Sequence, residues 1–477
     1  MLFLADSELP LPALQNNRAR TGFTVVPALA SYALLHTPLY NIDSCYIERV
    51  RATELGVWMR FLRKMVLVLV ASLVWMLQTG CDDYYRPVAN PIITPGGQPQ
   101  TAHYAWVVNF NPNGAGTTTE IDVSGDSNLA VTTMGNGSIA EAFPPSSLAL
   151  FVANRNNDTV SEYLPTLAGP VTTISLLPGS HPVYLNSGHS GVMYVLNSGP
   201  NSACPNSGSI SAIPISTLSV SSTTCVGSNP TVMVQSSATF YTYVVNQGDG
   251  SVSVLNPSGS VVGLITTQNG GLGQSPVFLT ASNDGNYIFI VTQGDGVHPG
   301  MLDIVSATSA SVAATVPLGV LPTFATVDPT LNRLYVTNSG DNTVSVFDTS
   351  NISTSGTPPI PLLATVPVGT RPVGVTPLLS GSLFYVANAG SNDVTVVSAN
   401  SFSPLTTVAL PTGANPVYIA SDPTSAKVYV ANYGAASISI IRTVDNVLTQ
   451  DIPAPPQQAG CTQPSCLLQN PVMIVTQ

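Results

Sequence analysis

The sequence predicts an all-β chain wound into a β-propeller of four-stranded blades, and three observations carry that prediction. A short strand closed by a polar residue recurs eight times. A second, Pro-led strand precedes most copies at a fixed distance, and the last strand of the chain is of the kind that the first copy lacks. The closing residues are Asn109, Asn154, Asn197, Asn246, Thr292, Asn338, Asn388 and Asn432, spaced 43 to 50 residues apart. From the leading Pro to the closing residue the inclusive count is 17 for Pro230–Asn246, Pro276–Thr292, Pro322–Asn338, Pro372–Asn388 and Pro416–Asn432. It is 16 from Pro182, and Ser138 replaces the Pro in the weakest copy. Such a period marks an array in which each repeat is one supersecondary unit.

The remaining strands follow in order. Each closing residue is succeeded by a tight turn and another β-rich run, as in NSGDNTVSVFD and NQGDGSVSVLN, and then by a fourth, as in LLATVPVGTRP. Gly, Asn and Asp accept positive φ and suit such hairpin tips. Four short strands per repeat are what a propeller blade requires. The first repeat begins at its second strand, around Trp106, whereas the chain finishes with NPVMIVTQ, Asn470 to Gln477, a Pro-led first strand with nothing after it. Joining the two completes the first blade and removes an edge open to aggregation. The count is then eight blades, or seven if the divergent 104–140 unit packs outside the ring.

Composition narrows the function. Of 477 residues 8% are charged, with 13 Lys+Arg against 24 Asp+Glu and a net charge of -11. Nucleic acid and acidic membrane surfaces are poor partners for such a chain. The 44% hydrophobic content, with 38 Gly and 40 Pro, fits a large core cut by many turns and excludes coiled coils and helix bundles.

Near the N-terminus, Arg60, Arg63 and Lys64 precede the apolar run Met65 to Leu77, which leads into Gln78-Thr79-Gly80-Cys81. The run is too short to span a bilayer comfortably, since about 20 helical residues are needed. A basic stretch, a short apolar core and a small residue before the cleavage point make a secretory signal over residues 59–80. The ending resembles the lipobox of bacterial lipoproteins, which implies lipid attachment at Cys81. The Leu usual three residues before the Cys is replaced by Gln78. Residues 1–58 carry no recognisable motif and are expected to be a mis-assigned start or an unstructured extension. Residues 82–103, with PVANPIITPGGQPQ at their centre, read as a tether following the anchor.

Four cysteines remain in the exported part: Cys204, Cys225, Cys461 and Cys466. An even number in an oxidising compartment favours disulfides. Three connectivities are open, and closeness in sequence favours Cys204 with Cys225 and Cys461 with Cys466. Zinc is the weaker alternative, because a C-x4-C spacing has no nearby His or second close pair.

The motif LYVTNSGDNTVSVFD, with its relatives FYVANAGSNDV and VYVANYGAASI, resembles the YVTN family of β-propeller repeat proteins. The resemblance covers residues 104–477 and implies an exported bacterial or surface-layer-like protein, in a broad group that includes lactonase-like propellers. It speaks to fold, and a propeller hosts binding and catalysis alike.

Several residue sets are candidates for chemistry. Three positions before each closing residue stands an aromatic: Trp106, Phe151, Tyr194, Tyr243, Phe289, Tyr335, Tyr385 or Tyr429. Recurrence in every repeat favours wedging between blades over a sugar-stacking platform, since a binding site needs only a few rings. The closing Asn residues are expected to bond backbone at the turn. Asp158, Asp249, Asp295, Asp341 and Asp393 sit at hairpin tips, where turn chemistry is favoured over calcium because no D-x-D-x-D-G loop is present. Nucleophilic catalysis would need a base near a Ser, Cys or Thr. Only His103, His181, His189 and His298 follow the signal, and there is no G-x-S-x-G elbow. No C-x-x-C-H haem motif occurs, and no metal or other cofactor is expected. The favoured reading is a non-enzymatic, membrane-anchored module of the bacterial cell envelope that binds a protein, peptide or glycan. The alternatives are a lactonase-like or quinoprotein-like enzyme and a structural surface-layer-like component.

Overall fold

The computed structural model describes residues 104–477 apart from 123–126, 145–148, 165–169, 189–190, 267–274, 295–297, 356–359, 425, 458–466 and 477. The expectations for the leader, Cys81, the tether, His103, His189, Asp295, Cys461 and Cys466 fall outside the described residues. Among those described, eight antiparallel four-stranded sheets form an all-β, eight-bladed propeller. In chain order the first and second strands of blades 2 to 8 are Ser138–Ala142 and Leu150–Asn154, Pro182–Ser187 and Val192–Asn197, Pro230–Gln235 and Thr242–Asn246, Pro276–Ala281 and Tyr287–Thr292, Pro322–Asp328 and Arg333–Asn338, Pro372–Pro377 and Leu383–Asn388, and Pro416–Ser421 and Lys427–Asn432.

Blade 1 is assembled from both ends of this region. Its first strand is Asn470–Thr476, followed by Tyr104–Phe110, Ala115–Asp122 and Ser127–Asn136. The C-terminal strand runs antiparallel to Tyr104–Phe110, with Val107 opposite Ile474 and Trp106 opposite Val475. The divergent 104–140 unit therefore belongs to the ring, and the seven-blade alternative is dropped.

The second strands carry the core. Each of the seven closing Asn residues is fully buried and donates from Nδ2 to two side chains on the third strand of its own blade. Asn246 reaches Ser251 and Ser253 Oγ at 3.0 and 2.9 Å. Asn338 reaches Thr343 Oγ1 and Ser345 Oγ at 3.1 and 2.9 Å. In blades 2, 4 and 6 the amide oxygen also accepts a backbone N–H, from Gly135, Gly227 and Gly319. In blades 1, 3, 7 and 8 that oxygen is buried without a partner. The turn bond expected of every Asn is thus made in three blades, and the pair of bonds to third-strand side chains, two hydroxyls in six blades and Asp393 with Thr395 in blade 7, is the feature common to all seven. The glycine is required where the bond forms: a Cβ on Gly227 would stand 2.5 Å from Asn246 Cγ. Blade 5 departs in a concerted way. Thr292 donates to the Met301 carbonyl, and buried Asp303 on the third strand accepts from Thr315 Oγ1 at 2.6 Å.

A second set of bonds ties each tip to the lead-in of a neighbouring strand. The residue before the leading Pro has positive φ in six blades: His181, Asn229, Ser275, Leu321, Arg371 and Asn415. A non-glycine residue in that region is strained and persists only where its surroundings hold it. The holding groups are visible. Asp158 Oδ1 accepts the His181 N–H at 2.7 Å, Asn342 Oδ1 that of Arg371 at 2.8 Å, and Asn392 Oδ1 that of Asn415 at 2.7 Å. The carbonyls of His181, Asn229, Ser275, Leu321 and Arg371 each accept the N–H just after a closing residue.

The wedge aromatics are buried in all eight blades, Tyr194 being the most exposed at 9%. In blade 3 a longer connection between second and third strands is pinned by a disulfide from Cys204 to Cys225, with Cα atoms 5.4 Å apart. A short helix, Ser350–Ser355, lies between the third and fourth strands of blade 6.

Two stability changes follow. Asn338→Ala removes two donated bonds and one accepted bond from a buried site and should cost about 3 kcal/mol, read as a lower urea midpoint. Replacing Cys204 and Cys225 by Ser opens a loop of sequence separation 21. On the chain-entropy account that costs about 3 kcal/mol, and an unchanged melting curve would rule out the staple as a stabiliser.

Candidate functional site: the central channel and the seam between blades 1 and 2

First strands of successive blades are neighbours all the way round, so eight of them enclose a central channel. The third residue from the leading position is Ala140, Tyr184, Val232, Phe278, Phe324, Gly374, Tyr418 and Met473 in blades 2 to 8 and then 1. Aromatic rings occur at four of these eight positions, and all four are partly exposed. Tyr184 and Tyr418 stand three blades apart around the ring. Each phenol is raised above its usual pKa chiefly by burial, and Tyr184 further raises Tyr418 by electrostatic repulsion. Both stand on first strands around the channel, and each packs on a core cluster between blades. Neither hydroxyl has a hydrogen-bond partner among the described residues. Phe278 and Phe324, from blades 5 and 6, meet with ring centroids 4.5 Å apart and planes tilted by 42°.

Behind this wall lies Glu141, on the first strand of blade 2 opposite Val152. It is 1% exposed, and neither carboxyl oxygen has a partner in hydrogen-bonding geometry. Burial raises its pKa well above the carboxylate range, and the nearby Val475 N–H offsets this only in part. Glu141 in turn adds to the upward shift of Tyr418. A charge buried without a partner is costly, so burial favours the protonated form of this carboxyl.

Two further glutamates share this irregularity. Glu120 and Glu162 pair across the sheet with the wedge aromatics Trp106 and Phe151. The equivalent partners in blades 3 to 8 are Ala212, Val254, Ile304, Val346, Val396 and Ile440. Likewise the register place of Glu141 is held by Leu185, Met233, Leu279, Ala325, Val375, Ile419 and Ile474 in the other blades. Three buried acids thus stand at aliphatic positions, all in blades 1 and 2. Motif reading missed them because it follows what recurs. Aligning the repeats for what fails to recur would have found them.

Glu120 lies in the seam between blades 1 and 2. Burial pushes its pKa up to about 7, opposed by a hydrogen bond from Tyr163. Tyr163 also bonds Thr132, and its ring meets Trp106 edge-on at 5.6 Å. The Trp106 indole N–H is buried with no partner. This seam sets a carboxyl beside the wedge aromatic where blades 3 to 8 set an aliphatic side chain, and perturbed carboxyls of this kind concentrate at functional sites.

The residues weighed from sequence are dispersed. The tip acids bind backbone: Asp158 takes the N–H of Gly179 as well as His181, Asp249 that of Ser228, and Asp341 that of Val320. Asp393 accepts from Asn388 Nδ2. His181 Nδ1 lies 3.6 Å from Asp158 Oδ1, at an exposed position before blade 3. His298 stands before the third strand of blade 5. Among the described residues no three His, Cys, Asp or Glu side chains converge as a metal site.

No protein-family profile matches the chain, and no curated protein sequence does. Solved structures match in fold. The dihydro-heme d1 dehydrogenase NirN, in complex with DHE, is 11% identical over 82% of this chain and 78% of its own, with a TM-score of 0.60. The β-propeller domain of Cps50 (Swd1) from Myceliophteria thermophila is 11% identical over 64% and 97%, with a TM-score of 0.51. Apo AztD from Citrobacter koseri is 14% identical over 79% and 98%, with a TM-score of 0.50. Likeness at such identity shows the propeller fold alone.

The acids of the seam set a pH dependence. Glu120 keeps its proton in the fold up to about pH 7 but releases it near 4.5 when unfolded. Its contribution is therefore present below the unfolded value and lost as pH rises through about 7. The melting temperature should fall between pH 5 and 8, and Glu120→Gln should flatten that fall. A fall of equal steepness in the variant would show that Glu120 is not the titrating group.

Proposed function

We propose that this chain is an exported, lipid-anchored propeller of the YVTN repeat type that serves the bacterial cell envelope as a non-enzymatic binding module, with its ligand seated in the central channel. The observation that carries the reading is the ring of first strands around the channel, on which Tyr184, Tyr418, Phe278 and Phe324 are partly exposed and the two Phe rings form a tilted pair. A concave, largely apolar site with a few free polar groups is the usual form of a ligand pocket. The ring around it is closed by strand pairing and latched at its tips, so the wall is preorganised and little ordering opposes binding. Export and anchoring rest on the basic stretch, apolar run and Gly80-Cys81 of the leader.

Fractionation tests the anchoring. The protein made in a bacterial host should sediment with membranes and leave them only in detergent, and Cys81→Ser should release it as a soluble exported form. A variant that stays in the membrane pellet, or a parent chain that is soluble, overturns the lipid anchor.

A further inference from the structure

We propose that the seam between blades 1 and 2 is a pH-operated latch on the ring. While Glu120 and Glu141 are protonated the C-terminal strand stays docked, and their ionisation frees Asn470–Thr476 from blade 1.

The sheet register places both acids in this seam. Residues directly opposite each other in an antiparallel sheet share one face. In blade 1 the row Val475, Trp106 and Glu120 shares a face, and in blade 2 Glu141 shares one with Val152. Trp106, Val108, Leu150, Val152 and Tyr163 form one core cluster, so these two faces meet. Glu120 and Glu141 therefore enter the same seam from opposite walls, at 5% and 1% exposure. Glu162 pairs with Phe151, which clusters with Leu185 and Met193 of blade 3, so it faces the other way.

Nothing of opposite charge meets them there. The eight strands of blades 1 and 2 contain Glu120, Asp122, Glu141 and Glu162 but no Lys, Arg or His. The titratable groups around Glu120 are Tyr104, Asp122 and Tyr163, of which Tyr163 donates a hydrogen bond to it. Tyr418 of blade 8 adjoins Glu141, and the first strand of blade 3, packed on the other side of the Glu141 strand, carries Tyr184. None of these is a cation, and both Glu141 oxygens are buried without a partner in hydrogen-bonding geometry. Ionising either acid in place is costly, and burial raises both above the carboxylate range. Groups raised in this way favour the docked state at low pH and weaken it as pH rises through the folded value.

The closing strand is also the element best able to respond. In blades 2 to 8 the first strand runs into the second through a short connection. In blade 1 the two lie 360 or more positions apart, and only ladder bonds and packing join them. Asn470–Thr476 can therefore detach without carrying its second strand with it.

The test is hydrogen–deuterium exchange read by mass spectrometry on the detergent-purified full chain, from about pH 6 to about pH 8.5, corrected for the intrinsic pH dependence of amide exchange. Peptides covering Tyr104–Phe110 and Asn470–Thr476 report the closure, and Leu383–Asn388 of blade 7 is the reference. The expected result is a fall in closure protection relative to the reference of up to roughly 10-fold for each pH unit above about 7. Glu120→Gln and Glu141→Gln should each reduce that fall, and Glu162→Gln, which faces blade 3, should leave it intact. If Glu141→Gln does not fold, Glu141→Leu takes its place, since Leu185 fills that register position in blade 3. Protection that falls equally in blade 7 makes the transition global and overturns the latch. Closure protection that stays constant over the whole pH range overturns it as well. A fall confined to the closure that persists undiminished in the Glu120 and Glu141 variants assigns the titration to other groups and overturns these two acids as its cause.

Discussion

The pairing of Asn470–Thr476 with Tyr104–Phe110 is the contact on which the rest of the molecule depends. It joins residues 360 or more positions apart, from Phe110 with Asn470 upward, and turns a row of blades into a ring. Each blade meets only its two neighbours, so an unclosed array would leave two end faces with buried-type surface in water. Closure removes both ends and gives the first strands a common centre. The channel enclosed by the eight first strands exists only because these two strands find one another.

What holds the ring is predominantly neutral. Asn amides, Ser and Thr hydroxyls and backbone groups make the recurring bonds, and where acids take part their partners are backbone N–H groups, as at Asp158 and Asp341, or neutral side chains, as at Asp303 and Asp393. This explains how a chain with 8% charged residues builds a large specific structure. Hydrogen bonds to buried neutral groups are insensitive to ionic strength, unlike surface ion pairs. Blades 1 and 2 also place Glu120, Glu141 and Glu162 at register positions where the other blades use aliphatic side chains.

The blade frame was legible in the sequence because it is set by residues that every repeat needs. Asn338 and its counterparts each bond two third-strand groups, and Tyr335 and its counterparts each fill an inter-blade gap, so both recur with a fixed period. The channel residues were less legible for a geometric reason. A register shift follows the leading Pro in nearly every blade, as between Pro276 and Phe278, so simple alternation counted from the Pro does not say which way the third side chain points. Glu141 was hidden differently: a lone Glu in SIAEA looks like a surface residue until its register with Val152 and its place beside Val475 are known.

The position of Tyr104–Phe110 within blade 1 has a mechanical side. This strand is the first of the described residues and is bonded on both flanks, to Ala115–Asp122 and to the C-terminal strand. Ladder bonds in antiparallel sheets lie perpendicular to the strands. A pull applied ahead of Tyr104 along the strand therefore loads two rows of bonds in shear, and they must fail together instead of unzipping one by one. If the N-terminal side is where the molecule is moored, the closure that completes the ring is also its clamp against traction, and the weakest points under load are the unflanked outer strands, which lie off the line of force.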